Sequence, residues 1–338
     1  MVDRSRAGAR VPLTLLCVAA LVVGCTSNGA SQVPSALESA SPVAPMPSLM
    51  PVTSDLGINF ESSNPLNELG ILDVFAPEAA GPWPVVVMFH GNPATDSRTM
   101  MRTQAERLAG TGFVVFAPNW GKSGGPTYDA LSFVEMGKLD NAQSACAVAF
   151  ARARAADYGG DPSTMIVYGH SGGANQASAQ AFLQPAPTDG CLVDTEPGTF
   201  DALVVWEGDW VLWPPFWDAI LAEEPGWFDL ITPWTRLAEH RDLPVHLVVS
   251  ENPGYGRQDG AWLDTRGDGQ MRSRLTAVGA LEDGYMGFDE LEEMFAKVLE
   301  DQGYSVTYDV MPNSTHSSLG AEGWPVFLEA FKKAADAV

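Results

Sequence analysis

The chain has 338 residues, 46% of them hydrophobic and 18% charged, with a formal net charge of −23. That length suits one large α/β core preceded by a non-globular N-terminus. The acidic excess argues against a face built for nucleic acid or for anionic lipid.

Residues 1–24 have the layout of a secretory signal peptide. Arg4, Arg6 and Arg10 form a basic start, and Val11 to Val23 form an apolar stretch too short to span a bilayer. The segment closes on Val22-Val23-Gly24-Cys25, which resembles the lipobox of bacterial lipoproteins. That resemblance implies that Cys25 is acylated and becomes the mature N-terminus, so that the protein is extracytoplasmic and lipid-anchored to the cell membrane. Residues 25–54 are rich in Ser, Ala and Pro with almost no charge, the composition of a flexible tether. A folded domain is expected over 55–338.

Periodic sequence begins near Gly70, with an early strand at Ile71 to Ala76. Pro84 to Phe89 (PVVVMF) is a continuous apolar run of the kind buried on both faces of a parallel sheet, and it ends in His90-Gly91-Asn92-Pro93. Arg98 to Ala109 reads as a helix and Phe113 to Ala117 as the next buried strand, which establishes a β-α-β rhythm. The Gly-rich stretch from Asn119 to Pro126 reads as a loop and lacks the spacing of a phosphate-binding loop. Asp140 to Ala155 carries a helical stripe of Ala142, Ala145, Cys146, Ala149, Phe150 and Ala153, which turns Cys146 toward the core.

Met165 to Ala174 (MIVYGHSGGA) organises the rest. An apolar strand enters a tight turn, and a small-residue helical segment leaves it. Gly169, Ser171 and Gly173 satisfy the G-x-S-x-G pattern, which between a strand and a helix is a nucleophile elbow. A serine in a strained backbone conformation needs neighbours without Cβ atoms so that strand and helix can approach. The helix start places Ser171 at the positive end of a macrodipole, where a forming oxyanion is favoured.

The longer run YGGDPSTMIVYGHSGGA resembles the same junction in carboxylesterases of the α/β-hydrolase superfamily, and the resemblance extends from Ile71 to the C-terminus. It implies an α/β-hydrolase fold with a mostly parallel eight-stranded sheet flanked by helices, and a Ser, acid, His order along the chain. It also implies an oxyanion loop after His90-Gly91. One donor is then the N–H of Asn92, with Gly91 as the alternative, and the other is Gly172, the residue after the nucleophile. His90 shapes this loop through hydrogen bonds rather than acting as a base.

Beyond the elbow, Phe200 to Trp206 reads as a strand and Pro244 to Ser250 as the next. Between them Trp206, Trp210, Trp213, Trp217, Trp227 and Trp234 gather six of the ten tryptophans into a cap-like insertion, either a lid over the site or a cover for the sheet edge. With the acid expected between serine and histidine, Glu251 directly after the second of these strands is preferred. Asp259 and Asp209 are the alternatives, and a Ser-His dyad is a further one. Phe288 to Asp301 is amphipathic, with Leu291, Met294, Phe295, Val298 and Leu299 inward, and Tyr304 to Met311 forms the last strand. His316 follows it, ahead of a final helix at Trp324 to Ala337, where the family keeps its base.

The expected reaction is hydrolysis of a small-molecule or lipid ester through an acyl-enzyme on Ser171, with His316 as general base and no cofactor or metal. Hydrolysis of another bond, by a peptidase, polyesterase or dienelactone-type enzyme, and a non-catalytic surface lipoprotein are the competing readings. Cys17 leaves with the leader and Cys25 is taken up by acylation, so Cys146 and Cys191 remain as an even pair in an oxidising compartment. They form either a disulfide or two free thiols with Cys146 buried.

Overall fold

In the computed structural model, which describes residues 48–62, 70–91, 97–121, 133–208, 237, 239–253 and 288–337, the apolar runs pair into one eight-stranded sheet. The strands are β1 (Val52–Asn59), β2 (Ile71–Pro77), β3 (Trp83–Phe89), β4 (Val114–Pro118), β5 (Gly160–His170), β6 (Ala202–Trp206), β7 (Val245–Ser250) and β8 (Val306–Met311). They lie in the order β1-β2-β4-β3-β5-β6-β7-β8. Both pairings of β2, with β1 and with β4, are antiparallel; the remaining five are parallel.

Among the described residues, five helices cover the two faces: α1 (Arg102–Ala109), α2 (Phe133–Arg154), α3 (Gly172–Phe182), α4 (Phe288–Asp301) and α5 (Gly323–Asp336). Because side chains alternate along a strand, β3 serves two cores. Val85, Val87 and Phe89 pack with residues of α2, α3 and α4, while Val86 and Met88 pack with residues of α1 and α5. Burying both faces is what makes β3, β4, β6 and residues 165–168 of β5 read as unbroken apolar runs rather than alternating ones.

Strand β1 departs from the expected layout, because its first three residues, Val52 to Ser54, fall inside the segment read as tether. An edge strand is held by its ladder to β2 and leaves most of its side chains in solvent, so it presents no apolar run to detect. Helix α2 differs as well. Ala153 of the expected stripe is exposed, whereas Ala147, Val148 and Ala151 are buried, because the helix is packed on more than one side. In α4, Phe295 and Leu299 are buried as expected, and Glu292 is buried with them. The side chains of Leu291, Met294 and Val298 lie outside the described residues, as do the tryptophan block after Trp206, Asn92, Asp209, Asp259 and the N-terminal segment with Cys25.

Cys146 of α2 and Cys191 are joined in a disulfide, with Cα atoms 5.5 Å apart and a sequence separation of 45. Closing a loop of that length removes about 4 kcal/mol of chain entropy from the unfolded state. The bond ties α2, which packs against the elbow helix, to the segment that follows α3.

Candidate active site

Strand β5 runs into Ser171 and α3 starts at Gly172. Ser171 has φ 55° and ψ −126°, a conformation that costs a residue with a Cβ about 1–3 kcal/mol. The glycines around it are required by contact. A Cβ on Gly169 would stand 2.0 Å from the Gly173 carbonyl oxygen, and one on Gly173 would stand 2.3 Å from the carbonyl oxygens of Phe89 and His90. Strand, turn and helix therefore pass each other at backbone distance, with Ser171 at the carboxyl end of the sheet and at the N-terminus of α3.

The register of β5 and β6 determines what lies beside the serine. His170 pairs with Trp206, and the Ser171 N–H donates to the Trp206 carbonyl at 2.9 Å. The residue directly after β6 is Glu207, fully buried and held at φ 51°, outside the usual range for a residue with a side chain. Its carboxylate is paired at both ends. Oε1 accepts from the Ser250 N–H, and Oε2 lies 2.6 Å from Nδ1 of His316. A carboxylate can only accept here, so Nδ1 carries the hydrogen and Nε2 of a neutral His316 ring is left to accept a proton.

The loop after β8 delivers His316 by main-chain contacts. The His316 N–H donates to the Pro253 carbonyl at 3.0 Å, and Asn252 N–H to the Ser314 carbonyl at 3.1 Å, which joins this loop to the one after β7. Phe288, at the start of α4, stacks on the imidazole with centroids 4.2 Å apart and planes at 11°. Glu292, one turn further along α4, accepts from the Gly208 N–H and so steadies the backbone just past Glu207.

The carboxylate at His316 is therefore Glu207, and the preferred acid, Glu251, is elsewhere. Glu251 is exposed, and its Oε2 accepts from the Asn313 N–H at 2.8 Å. Sheet order gives the reason: β6 lies between β5 and β7, so the end of β6 is one strand nearer Ser171. The rule that favoured Glu251, an acid directly following a parallel strand, points equally to Glu207 when applied one strand earlier. At that strand the candidate named from the sequence is Asp209, two residues beyond Glu207.

On the other side of the turn, the Gly91 backbone faces Ser171, since a Cβ there would lie 3.1 Å from Ser171 Cβ. His90 braces this corner. Its Nδ1–H donates to the Gly91 carbonyl at 2.7 Å, its Nε2 accepts from the Trp120 N–H at 3.4 Å, and its own carbonyl accepts from the Trp120 indole at 2.9 Å. Burial lowers the pKa of His90 to about 4, a shift that its bond to Gly91 only partly offsets. Burial lowers that of His170 to about 3, with the nearby His316 adding to the effect. His170, Glu207 and His316 also bring metal-ligand atoms within 4.8 Å of one another. Those groups are engaged with each other, His316 Nδ1 with Glu207 and His170 Nε2 with the His316 carbonyl.

The model of the dienelactone hydrolase family matches residues 73–186, which takes in Gly91 and the elbow and stops before Glu207 and His316. No curated sequence matches the chain. Among solved structures, esterase B from Lactobacillus rhamnosis is similar at a TM-score of 0.58 and 12% identity, over 85% of this chain and 86% of that one. A truncated carbohydrate esterase from gut microbiota is similar at 0.51 and 17%, over 84% and 96%. The chain is folded as an α/β-hydrolase. Thermogutta terrifontis esterase 2, whose structure was determined phosphoramylated by tabun, is similar at 0.53 and 15%, over 83% and 92%. Within the α/β-hydrolase fold, Ser171, Glu207 and His316 each follow a strand at the carboxyl edge of the sheet, the edge where open parallel sheets place their ligands.

Proposed function

We propose that this α/β-hydrolase is a serine hydrolase of carboxylic esters, with Ser171 as nucleophile, His316 as general base and Glu207 as the carboxylate that orients it. The buried 2.6 Å contact between His316 Nδ1 and Glu207 Oε2, beside a serine in a strained turn, carries the reading. His316 Nε2 takes the Ser171 hydroxyl proton as Oγ attacks the ester carbonyl. The N–H of Gly172 and that of Asn92 hold the oxyanion, each worth about 3 kcal/mol. Return of the proton to the departing alcohol leaves an acyl-serine. Water then attacks with the same base, releasing the carboxylic acid and restoring Ser171. The similarity to esterases supports an ester substrate, and the partial match to the dienelactone hydrolase family makes a cyclic ester the natural first variant to try beside linear ones. The second part of the proposal concerns location: loss of residues 1–24 and acylation of Cys25 would tether the domain to a membrane surface.

A fluorophosphonate forms a covalent adduct only with an activated serine, so it tests the site without knowledge of the substrate. The expected result is one adduct on Ser171 of the full chain, turnover of p-nitrophenyl esters, and loss of both in Ser171→Ala. Folded protein that takes up no phosphonate would overturn the assignment in favour of a non-catalytic binding protein. The same mass spectrum reads the N-terminus, where an unacylated Cys25 on secreted protein would overturn the anchor.

A further inference from the structure

Ser-acid-base chemistry does not require a histidine immediately before the nucleophile, yet His170 is buried there and its neighbours belong to the site. Its Nε2 lies 2.7 Å from the main-chain carbonyl of His316. A carbonyl only accepts, so Nε2 bears the hydrogen. Nδ1 stands 3.1 Å from where a Cβ on Gly91 would be, against the turn that faces Ser171. The ring lies 4.3 Å from that of Trp206, the residue before Glu207, and 4.7 Å from that of His316. One imidazole therefore touches the nucleophile strand, the acid strand, the Gly91 corner and the base loop.

Packing alone does not account for it, because phenylalanine would fill much the same space and keep the ring contacts. What phenylalanine lacks is the donor. His316 sits on a loop, and both of its main-chain groups are pinned: the N–H by the Pro253 carbonyl and the carbonyl by His170. The bond from Nδ1 to Glu207 then sets the ring, but it can do so only if the backbone that carries the ring stays in place. We propose that His170 is a positioning residue for the base, holding the His316 main chain through its Nε2–H so that the imidazole stays in register with Ser171 and Glu207. This rests on the reading of Ser171, His316 and Glu207 as the catalytic set. Burial keeps the His170 ring neutral down to about pH 3, and the Nε2 donor is present in either charge state.

The test compares His170→Phe, His170→Gln and His170→Asn in the full chain, by kcat and KM on a p-nitrophenyl ester and by the rate of fluorophosphonate labelling. Displacing a catalytic group by about 1 Å costs about 100-fold in rate. His170→Phe should therefore lose roughly 30- to 100-fold in kcat and in labelling rate with KM changed by less than about threefold. Glutamine can carry an N–H to nearly the place of Nε2, so His170→Gln should recover at least tenfold of that loss. Asparagine is too short to do so, and His170→Asn should not recover it. If the Phe variant fails to fold, the Gln and Asn pair asks the same question. A folded His170→Phe with wild-type kcat, or equal activity in the Gln and Asn variants, overturns the proposal. Wild-type protein that neither turns over esters nor reacts with phosphonate overturns the underlying site assignment as well, and that outcome is distinct because it appears before any His170 variant is made.

Discussion

Replacing Glu207 by glutamine changes one atom and reverses the hydrogen-bond logic of the site. The carboxylate accepts from two donors in a fully buried setting, the Ser250 N–H at Oε1 and His316 Nδ1–H at Oε2. Glutamine has a single oxygen to offer. With that oxygen toward His316, its NH2 group faces the Ser250 N–H, and two buried donors confront each other at a cost of about 1–3 kcal/mol. With the oxygen toward Ser250, the NH2 group faces His316, which must then accept at Nδ1 and carry its hydrogen on Nε2. That tautomer cannot take the Ser171 proton. Amide-for-carboxylate exchange at a triad acid lowers kcat by about 10⁴-fold through this tautomer effect, equivalent to about 5.4 kcal/mol of transition-state stabilisation. On a p-nitrophenyl ester we expect a loss of that order in kcat for Glu207→Gln, with KM little changed. Glu251→Gln should stay within about threefold of wild type, because Glu251 is exposed and its carboxylate is bonded to Asn313, away from the ring. The reasoning is refuted if Glu207→Gln keeps more than a tenth of wild-type kcat, or if Glu251→Gln is the variant that collapses.

Two further outcomes concern stability. Gly169→Ala would put a Cβ 2.0 Å from the Gly173 carbonyl, so β5 and α3 must separate. The expected cost is about 3 kcal/mol or more, seen as a Tm lower by roughly 5–10 °C, and an unchanged melting curve would show that the elbow tolerates separation. Burial lowers the pKa of three histidines, His90 and His246 to about 4 and His170 to about 3. Each would take up a proton near pH 6.5 in the unfolded chain but not in the folded one, so between those limits the unfolded state binds more protons. Their contribution to stability is thus complete above about pH 6.5 and declines as pH falls toward 4. The urea midpoint should drop between pH 7 and pH 5, and a midpoint that holds or rises would contradict the burial of these rings.

The linear order of residues determined a good deal by itself. Continuous apolar runs at 84–89, 113–117 and 165–168 identify strands covered on both faces, because only a sheet with helices on each side buries every residue of a run. Gly169, Ser171 and Gly173 mark the elbow, because contact between strand and helix leaves no room for a Cβ. The loop after the last strand supplies His316. Tertiary structure decided what depends on neighbours in space. The carboxylate that meets His316 is that of Glu207 and not Glu251 because β6 lies beside β5 in the sheet, and strand order is not written in the spacing of residues along the chain. The Cys146–Cys191 bond needed the Cα separation, which an even count of cysteines leaves open. Strand β1 leaves no apolar pattern in the sequence because it is held by backbone hydrogen bonds at an exposed edge, and such bonds require no particular side chains. His170, a residue of no evident purpose in the sequence, acquires one only when the carbonyl of a residue 146 positions away comes within 2.7 Å of its ring.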